Sequence, residues 1–175
     1  MIRSFVCLGF ICVFIFSVTV YSSSTVWPKK KKPPIEHGSA TAETKVLIAG
    51  KESKFRDAVI SELTNRLVKD SIHVRLINLS DLGSITPDEW SAILLVNKCI
   101  AWNYEGPVKK FFKSHPDSKN VVLFTTSGDP ERCIPEKKPE RKAKVDTYTS
   151  ASEDSKITEA VDTLSSLLNG VLNRN

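Results

Sequence analysis

At 175 residues, 41% of them hydrophobic, the chain holds enough apolar material for one globular domain and a terminal appendage. Its net charge of +5 gathers near the N-terminus, where Arg3, Lys29, Lys30, Lys31 and Lys32 oppose only Glu36 and Glu43 before residue 44. That basic character is no footprint of a nucleic-acid-binding face, and no nucleic-acid partner is expected. Of the four cysteines, Cys7 and Cys12 fall in an apolar run and Cys99 and Cys133 in the domain, at spacings that fit neither a zinc site nor a CxxC redox pair.

Residues 5–20 (FVCLGFICVFIFSVTV) form that run, uncharged and preceded by Arg3. It is slightly long for a signal-peptide core and short of the roughly 20 residues of a full span. Small residues at Ser22 and Ser24 permit cleavage after Ser24, whereas extension through residues 21–26 gives a membrane helix. Residues 1–24 therefore predict a signal peptide or an N-terminal membrane anchor. An uncleaved anchor keeps the domain cytoplasmic under the positive-inside tendency. A cleaved one places it outside the cytoplasm, and both remain open. Residues 25–43 are polar, with Pro28, the four lysines, Pro33, Pro34 and Gly38. They predict a disordered linker whose lysines can meet anionic lipid headgroups.

Residues 44–175 alternate between strand and helix patterns. The stretch 45–49 (KVLIA), ended by Gly50, predicts a first strand. Ser53 is placed to cap a helix over residues 54–69, where Phe55, Val59, Leu63 and Leu67 repeat at helical spacing. Residues 72–76 (IHVRL) alternate like a half-exposed edge strand with His73 on its outer face. Asn78-Leu79-Ser80 is a glycosylation sequon, of consequence only in a chain secreted by a eukaryotic cell. Residues 81–88 contain Gly83 and Pro87 and predict a loop with at most one helical turn.

The stretch 91–97 (SAILLVN) joins five apolar residues without alternation, the pattern of a strand buried on both faces near the middle of a parallel sheet. A helix follows over residues 107–114, with Pro107 first and Val108, Phe111 and Phe112 on its apolar side. Residues 121–126 (VVLFTT) give the next strand, ended by a turn at residues 127–130. Residues 131–144 are highly charged with two prolines and predict a surface excursion. An edge strand at 145–149 (VDTYT) precedes a last helix, capped by Ser150 or Ser152 and marked by Ile157, Val161, Leu164, Leu168 and Val171.

Five strands and three helices with right-handed crossovers predict an α/β fold: a doubly wound, five-stranded parallel sheet of order 2-1-3-4-5. On that order, KVLIAGKESKFRDAVISEL, ILLVNKCIAWNYEGPVKKFF and NVVLFTTSGDP resemble the first, third and fourth strand segments of the flavodoxin-like family. The resemblance spans roughly residues 44–175, with two of the family's helices reduced to loops at 80–87 and 131–143.

The resemblance implies FMN at the carboxyl ends of the strands. Gly50, Lys51, Ser53 and Lys54 then match the phosphate loop, whose amides open a helix. Asn97, Trp102 and Tyr104 match the loop after the third strand, with Trp102 or Tyr104 against the flavin ring, and Thr126, Ser127 and Gly128 match the loop after the fourth. The phosphate loop departs from the family, because its threonine and serine run is missing and Glu52 repels a phosphate. As ordinary structure, these residues are a strand-to-helix turn, and Trp102 and Tyr104 cap the core at the helix entrance.

Other chemistries lack their residues. There is no GxxxxGK[ST] loop, no acidic pair and aspartate of a response-regulator receiver, and no G-x-S-x-G elbow. The three histidines fall in the linker, on an outer strand face and at a helix end (His115), so no metal cluster or triad forms. Cys99 and Cys133 follow adjacent strands at their carboxyl ends, which allows a disulfide if the domain is exported. The expectation is a membrane-targeted or exported, non-catalytic binding or structural module without flavin, in touch with a membrane through its N-terminal segment and open to a protein partner. The alternative is an FMN-binding electron-transfer or reductase-like protein.

Overall fold

The computed structural model describes Trp27, residues 33–131, Cys133 and residues 145–174. Six strands form one sheet in the order β1-β3-β2-β4-β5-β6: β1 (Ile35–His37), β2 (Lys45–Gly50), β3 (His73–Asn78), β4 (Ala92–Lys98), β5 (Val121–Ser127) and β6 (Asp146–Ala151). Strands β2 to β6 are parallel, and β1 alone runs antiparallel, against β3. The helices are α1 (Lys54–Lys69), α2 (Gly106–Ser114) and α3 (Ile157–Leu172).

Alternation along the strands explains the layers. Val46 and Ile48 of β2 point to one face with Leu94, Val122 and Phe124, where α1 and α3 cover them. Leu47 and Ala49 point to the other face with Ile93, Leu95 and Leu123, covered by α2 and by a 3-10 helix at Leu79–Ser84. Each such buried Leu or Ile contributes roughly 1.5–3 kcal/mol over an exposed one. The five apolar residues of β4 are fully buried because β4 lies inside the sheet with a layer on each side.

The sheet corrects the five-stranded prediction. Order 2-1-3-4-5 holds for the parallel strands, but β1 adds a sixth at the edge, inside the segment predicted as a disordered linker. Three residues between Pro34 and Gly38 are too short and polar to signal a strand. They are held by tertiary pairing: Ile35 opposite Leu76 and His37 opposite Val74, with Glu36 bonded to His73 at 2.8 Å and near Arg75 at 3.3 Å. His73 is thereby buried and not on a solvated face, and β3 is an internal strand. The predicted edge at the other end is correct, since β6 closes the sheet order.

Helix starts differ in detail. Ser53 precedes α1 but makes no capping bond through its side chain; its amide instead donates to Asp57 Oδ1 at 3.2 Å. Neither Ser150 nor Ser152 caps α3. Ser150 is buried in β6, and a 3-10 turn at Asp154–Lys156 leads into the helix. The predicted N-terminal anchor and most of the 131–144 excursion lie outside the described residues.

Candidate functional site

The loops after β2, β4 and β5 meet at the carboxyl end of the sheet, which places all ten sequence-predicted site residues at one end. Their chemistry is set by a residue outside that set. Trp27 is 1% exposed and lies against Gly50, so closely that a Cβ on Gly50 would fall 2.5 Å from its ring. Glycine is required here for close approach of an indole, the role that the family resemblance reserves for a phosphate.

The rest of the loop is engaged as well. Lys51 Nζ bonds Glu105 Oε1 at 2.7 Å, Lys54 Nζ bonds Asp154 Oδ2 at 2.7 Å, and the Ser53 amide serves Asp57. Burial pushes the Asp57 carboxyl above its ordinary value, while that amide pulls the other way. A dianion cradle needs bare amides and uncommitted cations. The residues present therefore do not fit an FMN phosphate while Trp27 is in place.

A polar network links β4 to α2 beneath this loop. Asn97, fully buried, accepts the Glu105 amide at 2.8 Å and receives the Thr126 hydroxyl on its carbonyl at 3.4 Å. The Glu105 carboxylate, also buried, takes the Lys98 amide at 2.9 Å in addition to Lys51. Asn97 is thus a structural clasp. Arg56 is buried nearby and donates to the Glu52 carbonyl at 3.0 Å, and its Nε and Nη1 have no hydrogen-bond partner. Burial pulls its guanidinium below the ordinary value, against the attraction of Glu105 and Asp57.

Between Lys98 and Glu105 the chain makes a tight turn. Ile100 and Asn103 exchange backbone bonds of 3.1 and 3.0 Å, and Ala101 and Trp102 between them both have positive φ, 47° and 58°. Such backbone suits Asn or Gly, and other side chains carry it at a cost of about 1–3 kcal/mol each. Cys99, at the base of the turn, is joined to Cys133 by a disulfide with a Cα separation of 6.3 Å, as their places after β4 and β5 allow. The turn holds Ile100 and Trp102 outward, 53% and 58% exposed.

Tyr104 faces the other way, buried with its ring 6.0 Å from Phe112, and so caps the core instead of facing a ligand. Ser127 closes a local turn with Asp129, its Oγ accepting the amide at 3.1 Å, and Gly128 stands open with no atom near its missing Cβ.

Sequence reasoning missed Trp27, Arg56 and Glu105. Only Trp27 carried a signal, as a lone large aromatic in a lysine and proline segment. Among the described residues no group of histidines, cysteines and carboxylates could hold a metal.

No protein-family model matches the chain, and no curated protein matches it. Solved structures do. An oxidoreductase from Corynebacterium diphtheriae is similar at 15% identity and a TM-score of 0.54, covering 77% of this chain and 100% of that one. A flavodoxin from the domain Archaea is similar at 17% identity and a TM-score of 0.50, covering 73% of this chain and 99% of its own. The Flv1 flavodiiron core from Synechocystis sp. PCC6803 is similar at 11% identity and a TM-score of 0.50, covering 78% of this chain and 38% of its own. These likenesses fix the fold: the domain is flavodoxin-like.

Proposed function

We propose that this chain is a flavodoxin-like binding or structural module that works without flavin, in a membrane-associated or exported protein, with another protein as its partner. The observation that carries this is Trp27 against Gly50. Displacing a buried indole costs about 3–5 kcal/mol, and a flavin phosphate would have to meet that cost before it gained its own contacts. The Cys99–Cys133 disulfide supports a place outside the cytoplasm, since such bonds persist in oxidising compartments.

A second reading, FMN-binding electron transfer, draws on two observations. The similar structures are described as an oxidoreductase and a flavodoxin, which favours a flavin. The buried Arg56 also offers two N–H groups that an anion would satisfy once Trp27 moved.

One experiment separates the two. The purified full-length chain is titrated with millimolar FMN, by flavin absorbance and by calorimetry, beside a Trp27→Ala variant. A colourless protein with no heat of binding supports the flavin-free module. Tight binding by the parent chain overturns it. Binding by the variant alone identifies Trp27 as the element that closes the site.

A further inference from the structure

The turn between Lys98 and Glu105 is built from residues that do not favour it. Its bridge between Ile100 and Asn103 encloses two consecutive left-handed positions, a backbone that asparagine followed by glycine adopts at little cost. Alanine and tryptophan occupy them, at φ of 47° and 58°. Among the described residues the other non-glycine with positive φ is Ser71, so no second pair of neighbours is strained in this way. Such a pair persists only where its surroundings hold it. On the far side, Tyr104 is buried and the Glu105 amide is fixed on Asn97. On the near side, the Cys99 amide donates to the Thr126 carbonyl at 2.9 Å, and the Cys99 side chain is bonded to Cys133. Cys133 is buried in turn, with its amide on the Asp129 carbonyl at 3.1 Å. These amide bonds do not depend on the sulfurs, so opening the disulfide frees residues 100–103 and leaves both cysteines anchored. Cys99 is half-buried and Cys133 is 4% exposed, which makes Cys99 the sulfur that an incoming thiolate can reach.

We propose that the Cys99–Cys133 disulfide is a redox-operated lock on this turn, and that a dithiol releases it. A donor thiolate attacks Cys99 Sγ, the bond between the two cysteines breaks, and Cys133 departs as a thiolate that takes up a proton. The donor's second thiol then attacks the mixed disulfide and gives up its own proton, so that Cys99 leaves as a thiol. The donor ends as a disulfide and the protein as two thiols. Without the bond at its base, the turn returns to the negative φ that alanine and tryptophan prefer. Ile100 and Trp102 then lose the outward placing that the closed turn imposes. The lock acts apart from any flavin phosphate, because none of its groups lies on the loop after β2.

The test is made on the full-length chain by nuclear magnetic resonance. At positive φ a residue's amide hydrogen lies closer to its own α hydrogen than at negative φ, so their cross-peak is stronger. Dithiothreitol is the probe, and alkylation of Cys99 and Cys133 confirms that the bond has opened. On reduction the cross-peaks at positions 101 and 102 are expected to fall about threefold, while the amides of β4 and β5 keep their dispersed shifts. In Ala101→Asn/Trp102→Gly, whose residue types accept the turn, the cross-peak at position 101 is expected to survive reduction. Unchanged cross-peaks in the reduced parent overturn the proposal, and so does a bond that dithiothreitol leaves closed in the folded protein. Collapse of the whole spectrum overturns it too, since the bond would then hold the sheet and not the turn. Loss of the cross-peak in the reduced variant does the same, because strain is then not what the bond opposes.

Discussion

Asn97 and Glu105 hold each other in register: Asn97 Oδ1 takes the Glu105 amide at 2.8 Å, and the Glu105 carboxylate returns to the Lys98 amide at 2.9 Å. Both residues are buried, so removing either partner strands a polar group away from water. Asn97→Ala is expected to cost about 1–3 kcal/mol, measured by urea unfolding. It should also speed exchange of the Glu105 amide. Unchanged exchange there would mean that the clasp is not closed in solution.

The packing of Trp27 on Gly50 makes a prediction about coupling. Gly50→Ala forces atoms to about the overlap that overpacking studies price at 1–3 kcal/mol, and Trp27→Ala opens a cavity worth about 3–5 kcal/mol. In the double variant the added methyl meets no indole, so the two losses should not add. A double-mutant cycle giving simple additivity would deny the contact.

Cys99 and Cys133 close a loop at a sequence separation of 34 residues. On chain entropy alone, loss of the bond should cost about 3–4 kcal/mol. Thermal unfolding of the parent with and without reductant, beside the Cys99→Ser/Cys133→Ser double variant, measures it. Reductant should leave the double variant unaffected.

Asp57 predicts a pH dependence. Burial raises its carboxyl above the ordinary value, so the folded protein holds that proton more tightly than the unfolded chain does. Its contribution is therefore present below the unfolded value and lost as pH rises through the folded one. Asp57→Asn keeps an acceptor for the Ser53 amide and removes the titration. The variant should match the parent at pH below the unfolded carboxylate range and exceed it in stability once pH has risen through the raised folded value. Parallel stability curves across that range would contradict the assignment.

Arg56→Met tests the buried guanidinium. Arg56 donates one bond, to the Glu52 carbonyl, and leaves Nε and Nη1 without partners, so an apolar side chain of similar length should stabilise the domain by about 1 kcal/mol. Destabilisation beyond that amount would indicate a partner for those nitrogens.

What the sequence told depended on how many residues carried each signal. The buried strands and the stripe on α1 announced themselves through runs of apolar side chains, and the order of the parallel strands followed from crossover handedness. Strand β1 gave no such sign. Its three residues Ile35, Glu36 and His37 have no periodicity, and their stability comes from Leu76, His73 and Arg75, some forty positions away. The misplacement of His73 follows from the same cause, because a strand looks half-exposed when its neighbour is not foreseen. The loops after β2, β4 and β5 fall where the sequence puts them because strand ends locate them. Their content was not legible there, because Trp27 and Glu105 reach Gly50 and Lys51 only through tertiary structure.

Strand β1 reverses the usual order of events for a growing chain. It leaves the ribosome first, yet it has nothing to pair with until β3 exists, and β3 in turn is aligned on β2 across the length of α1. The first strand made thus cannot settle before the third. Until it does, β3 presents an open row of backbone donors and acceptors beside Val74 and Leu76, a template for pairing with a second chain. A form trimmed before residue 38 would keep that edge permanently, and its solubility would fall with protein concentration.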